Sequence, residues 1–181
     1  GGARAGARGA GSLSWCPRPC LPPLAVCYHR FRRSRQNASW ADMADIDESF
    51  EAALARFDGE NFDSLGEVDQ VLVAIWGLEA DVNNGGLHQY FYNGPGDQAF
   101  FAPRALRLIG ANRMADIVAS ANAIFGDQGP PRDHDQRQTR LEQIDEVAEA
   151  RLDSLTAEFY EYPDAISDLL ARYLETTGRA V

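Results

Sequence analysis

The residues best equipped for chemistry lie in one short stretch, Asn83-Asn84-Gly85-Gly86-Leu87-His88-Gln89-Tyr90-Phe91-Tyr92-Asn93-Gly94. His88 beside a carboxylate such as Glu79 would supply a general base. Asn83, Asn84, His88 and Gln89 would then line a small-molecule site. The plainer reading makes the stretch a structural plug. Two consecutive glycines permit backbone angles closed to other residues, so the chain bends there. Three aromatics follow, and a histidine in such company is more often a hydrogen-bonded core residue than a base. The rest of the domain offers no nucleophile elbow, no phosphate loop and no histidine pair at metal spacing on a helix. Arg132-Asp133-His134-Asp135 is a metal-like run, but four adjacent loop residues rarely converge on one ion. The expectation is a non-catalytic protein with no cofactor and no metal.

Charge is the stronger signal. Residues 1–42 carry seven arginines against one acid, so the remainder carries ten arginines against 26 acids, a net of -16, with no lysine anywhere. All three cysteines, Cys16, Cys20 and Cys27, precede residue 43, so no disulfide framework holds the domain. No apolar run reaches the roughly 18 residues of a membrane span. A cytoplasmic location is expected. Glu142, Asp145, Glu146, Glu149 and Asp153 recur at spacings that put them along one side of a single helix, away from Leu141, Ile144, Ala148 and Leu152. At about 1.5 Å per residue they would space negative charge roughly as one DNA strand spaces its phosphates. Further acids gather at Asp45, Asp47, Glu48 and Glu51, and at Asp58, Glu60, Asp63, Glu67 and Asp69. The bland alternative is a solvated face that keeps the protein soluble.

Glu79, Asn84-Gly85-Gly86, His88-Gln89-Tyr90-Phe91, Asn93 and Gly96-Asp97 together resemble the signature of a bacterial all-helical family, a domain of unknown function that includes a Neisseria DNA-mimic protein. Weaker echoes are Ala105-Leu106, Ile109-Gly110-Ala111, Leu152-Asp153, Phe159-Tyr160 and Tyr173. The resemblance implies a helical fold and a role in binding a DNA-binding transcription factor in place of DNA. It does not carry over the acidic face, because the shared motif reads as an internal hinge.

The elements that would position these groups are helical. Ile46 to Phe57 shows an apolar stripe (Ile46, Phe50, Leu54, Phe57), with Asp45 able to cap it. Glu67 to Val82 has little polar surface and reads as the central buried helix, where Gly77 marks a close approach by another helix. Further helices are expected from Pro103 to Ile109, from Arg113 to Phe125 with Asn112 as cap, and from Pro163 to Glu175. Gln136 to Ala157 reads as one long helix or two short ones, after a loop from Gly126 to Asp135. The fold class is therefore all-α, a bundle of about six to eight helices over residues 43–181. Residues 1–42 read as a disordered or non-native basic extension, with a glycosylation pattern at Asn37-Ala38-Ser39 that nothing else supports.

The functional expectation is an acidic protein that presents Glu142, Asp145, Glu146, Glu149 and Asp153 to a basic DNA-binding protein or transcription regulator. It would bind neither nucleic acid nor membrane directly, and a homodimer is a possible state. Two alternatives stand beside it. One is an immunity-type inhibitor of a basic toxin or nuclease; the other is a small-molecule enzyme or binder with a pocket at Asn83–Tyr92.

Overall fold

Among the described residues, the apolar spacings resolve into seven α-helices: α1 (Trp40–Arg56), α2 (Glu67–Tyr92), α3 (Ala102–Leu108), α4 (Asn112–Asn122), α5 (His134–Leu141), α6 (Glu146–Tyr160) and α7 (Ile166–Thr176). The structure, a computed structural model, describes residues 40–178 apart from residue 60. The features expected at Cys16, Cys20, Cys27 and Asn37 lie outside the described residues. No strand occurs among the described residues, and no helix is long and apolar enough to cross a membrane. The all-α reading holds.

α2 is the centre. It packs against α1, α3, α5 and α6, and Val71, Leu72, Ile75, Leu78 and Val82 on it are fully buried. From α1, Ile46, Phe50 and Ala53 face it, with the Phe50 and Trp76 rings 5.0 Å apart. The close approach at Gly77 comes from a turn, not a helix. A Cβ there would lie 2.9 Å from Pro95 Cβ, on the 3-10 segment Gly94–Gln98.

Several element ends differ from expectation, each for a local reason. α1 starts at Trp40, so Asp45 lies inside it and cannot cap it. α4 begins with Asn112 as a helical residue and has no cap from its own neighbours. Its free Met114 N–H donates instead to Asp164 Oδ2 at 2.9 Å, a cap supplied from 50 residues away. α5 begins two residues early because Asp133 caps it by accepting from Gln136 N–H. α7 begins at Ile166, because Pro163 belongs to the connection out of α6.

Candidate functional site

The double glycine breaks α2. Gly85 and Gly86 leave helical geometry, and Gly86 takes φ 79° and ψ -177°, a region closed to residues with a Cβ. A Cβ at Gly86 would also sit 3.0 Å from Thr156 Cγ2. The backbone groups flanking the break find partners on α6. Leu87 N–H donates to Thr156 Oγ1 at 3.1 Å, and Tyr160 OH donates to the Val82 carbonyl at 2.7 Å. Past the break, helical spacing turns Leu87, Tyr90 and Phe91 fully inward. It turns His88 and Tyr92 outward.

His88 therefore does not fill the core, as its aromatic neighbourhood suggests, but faces solvent. Glu79 is fully buried, so the His88–Glu79 base arrangement is not assembled. Glu79 instead lies beside Tyr162, whose hydroxyl accepts from Asn83 Nδ2 at 2.6 Å. Burial raises the Tyr162 pKa well above its ordinary value, and the neighbouring Glu79 raises it further. Tyr162 holds a left-handed φ of 45°, unusual for a side chain of its size. Its anchoring by Asn83, Glu79 and the Phe159 ring (5.7 Å between centroids) offsets that strain. Tyr162→Phe keeps the ring but removes the buried hydroxyl that accepts from Asn83 Nδ2 and lies beside Glu79. The expected cost is about 1–3 kcal/mol, measured by urea unfolding; an unchanged midpoint would mean that the hydroxyl does not hold this joint.

The residue that sequence reasoning missed is Arg137. It is fully buried. Its Nε donates to the Phe91 carbonyl (2.7 Å), Nη1 to those of Pro131 (3.0 Å) and Arg132 (3.2 Å), and Nη2 to that of Asn93 (3.0 Å) and to Asp97 Oδ1 (2.6 Å). Gly96-Asp97 in the motif thus serves the guanidinium: Asp97 pairs with it, and Gly96 leaves room for it. The available signal was register. Arg137 precedes Leu141 by four positions, which places a charge where the inward stripe calls for an apolar side chain.

Gly85, His88, Gln89, Tyr92 and Asn93 line an open surface depression. Asn83 turns inward to Tyr162 and is not among the lining residues, nor is the exposed Asn84. Beside the depression lies Asp81, buried, with Oδ1 accepting from Asn93 Nδ2 at 3.2 Å and Gln89 Nε2 at 3.5 Å. Burial pushes the Asp81 carboxyl above the usual carboxylate range, and the two amides only partly restrain it. Among the described residues, no group of three or more His, Cys, Asp or Glu could hold a metal ion.

The acidic stripe is not on one helix. Glu142 caps the C-terminus of α5, and Asp145 is the N-cap of α6, accepting from Ala148 N–H at 2.9 Å. Asp145 ends the run because its side chain replaces a helical hydrogen bond and nucleates a new helix. The set is a segmented array: Glu142 at one helix end, then Asp145, Glu146, Glu149 and Asp153 along the first turns of the next. Asp145 to Asp153 spans about 12 Å at helical rise. Four of the five are exposed and Glu149 is half-buried. None of the five forms an ion pair among the described residues. The nearby arginines are engaged elsewhere, Arg140 with the Phe125 carbonyl and Arg151 with Glu158.

The second acidic group is different. Asp63 pairs with Arg132, Glu67 with Arg104 and Asp69 with Arg56. Those carboxylates are largely neutralised. Cation–π contacts of Arg132 over Phe100 (4.0 Å) and Arg104 over Phe101 (5.5 Å) hold two of these guanidiniums in place. Most of the paired arginines thus lie outside residues 142–153, and Arg151, inside them, is held by Glu158, a partition that sequence order does not show.

No curated protein and no solved structure matches the chain. Residues 63–177 match the family model described as DMP19-like protein, a span that covers the kinked α2, the Arg137 clamp and the acidic segment. The chain belongs to the DMP19-like family.

Proposed function

We propose that this domain acts without catalysis, by occupying the DNA-binding face of a basic protein such as a transcription regulator. Glu142, Asp145, Glu146, Glu149 and Asp153 stand in for phosphates. The observation that carries this reading is the set of five carboxylates free of ion pairs among the described residues, while five arginines elsewhere, and Arg151 beside them, pair with other acids. Membership of a family named for DNA mimicry supports it. Carboxylates pair with the arginines and lysines that otherwise meet phosphate, and opposite charge accelerates encounter. A domain of this charge repels nucleic acid itself.

A purely structural account competes. Acids in the first turn of α6 favour the positive end of the helix dipole, worth about 0.3–1 kcal/mol each. The two accounts separate in one experiment. The protein is immobilised, partners are captured from lysate at low salt, and elution is attempted with rising salt and with duplex DNA. The expected result is a DNA-binding protein released steeply by salt and displaced by duplex. Glu146→Arg with Glu149→Arg should weaken capture at least about tenfold while circular dichroism shows an intact fold. Capture indifferent to duplex DNA and to both reversals would sink the proposal.

A further inference from the structure

The inward stripe of α6 is Leu152, Leu155 and Phe159, all buried. On its opposite side Glu146, Ala150, Asp153, Ala157 and Tyr160 follow one another at alternating spacings of four and three, and all five are exposed. That alternation keeps the row on one face of the helix for about 21 Å. The two alanines leave recesses between Glu146, Asp153 and Tyr160. Tyr160 is 47% exposed, yet its hydroxyl donates to the Val82 carbonyl at 2.7 Å. The ring is therefore held in place at the surface, and little entropy is lost when a partner packs on it.

We propose that this outer face of α6 is a docking seam for an arginine-bearing helix of the protein partner, with Tyr160 as its anchor. Such docking rests on the acidic segment binding a basic protein, and adds the shape of what is bound. Glu146 and Asp153 form no ion pair among the described residues, so charge complementarity calls for cations opposite them. The two lie seven residues apart on one helix, about 10 Å. On a partner helix, arginines seven positions apart share a face and match that distance. An extended segment covers it in about three residues, at roughly 3.3 Å each, and side chains three apart on a strand point to opposite faces. The recesses at Ala150 and Ala157 admit side chains of a facing helix, as ridges enter grooves. At the far end the Tyr160 ring offers a face on which a guanidinium stacks better than an ammonium. Arg132 makes that contact with Phe100 inside this domain, at 4.0 Å.

The test uses the full chain and two fluorescent peptides of equal charge, followed by anisotropy at low salt. One is an alanine-based helix with arginines along one side; in the other, prolines interrupt the helix. The helical peptide should bind at least about tenfold more tightly, because its arginines are already arranged. Ala150→Gln with Ala157→Gln fills the recesses with a good helix former and changes no charge. It should abolish the helical peptide's advantage and leave the interrupted peptide's binding as it was. Tyr160→Ala should weaken the helical peptide about tenfold with the same dependence on salt, since no charge is lost. Circular dichroism checks that each variant folds. Val147→Gln, at a 78% exposed position off the seam, should change nothing. Equal binding of the two peptides overturns the seam and leaves the acidic segment as a general cation-binding face. A helical advantage that survives both Tyr160→Ala and the paired alanine changes also overturns it. Failure of both peptides to bind removes the seam and the acidic reading together.

Discussion

Replacing Arg137 by methionine is expected to lower the unfolding free energy by about 3–5 kcal/mol. The side chain is fully buried, and its nitrogens serve four carbonyls and one carboxylate. Methionine fills much of the volume but donates nothing. The carbonyls of Phe91, Asn93, Pro131 and Arg132 would lose their donor at once, and Asp97 its cation. Each buried acceptor left unsatisfied costs on the order of 1–3 kcal/mol, and partial entry of water recovers some of the total. Arg137→Lys should recover only part of the loss, because an ammonium cannot reach five acceptors from one point. By contrast, Arg104–Glu67 and Arg107–Asp116 are exposed pairs, and breaking either should move stability by less than about 1 kcal/mol. Urea unfolding of the four variants provides the comparison. Equal effects from Arg137→Met and Arg104→Ala would show that the buried guanidinium is not the clamp described here.

Gly96→Ala should cost at least about 3 kcal/mol, at the upper end of overpacking penalties. A Cβ there would lie 2.6 Å from the Tyr90 carbonyl oxygen and 2.7 Å from Arg137 Nε. The first neighbour is backbone and the second is pinned by its own hydrogen bonds, so neither yields cheaply. The two substitutions share a partner, so they should not add. In the Arg137→Met background, part of the clash is gone, and the alanine should cost less than in the wild type. A double-mutant cycle reads this directly; strict additivity would place Gly96 and Arg137 in independent environments.

Both predictions concern residues that helical periodicity does not advertise. Gly96-Asp97 is visible as part of the family signature, but its purpose is not, because the group it receives lies 40 residues on, in α5. His88 shows the opposite error. Its aromatic company points inward, yet the break at Gly86 resets the helical phase, and Leu87, Tyr90 and Phe91 take the buried side instead. The acidic run was misplaced for a related reason. Residues 142–153 satisfy a continuous helical pattern, and only the capping geometry of Asp145 shows that the helix restarts there.

Composition and periodicity alone were enough for an all-helical chain with a buried central element, a break at the paired glycines, and negative charge kept apart from the basic first 42 residues. Those properties arise from neighbours three and four positions apart, or from simple counting, and are written into any stretch of the chain. What folding decided was how polar groups freed by breaks and helix ends are satisfied. Val82 meets Tyr160, Asn83 meets Tyr162, Met114 meets Asp164 and Phe91 meets Arg137, across separations of 46 to 79 residues. Which arginines are consumed inside the domain, and so which carboxylates are left without an ion pair among the described residues, follows from such long-range pairings.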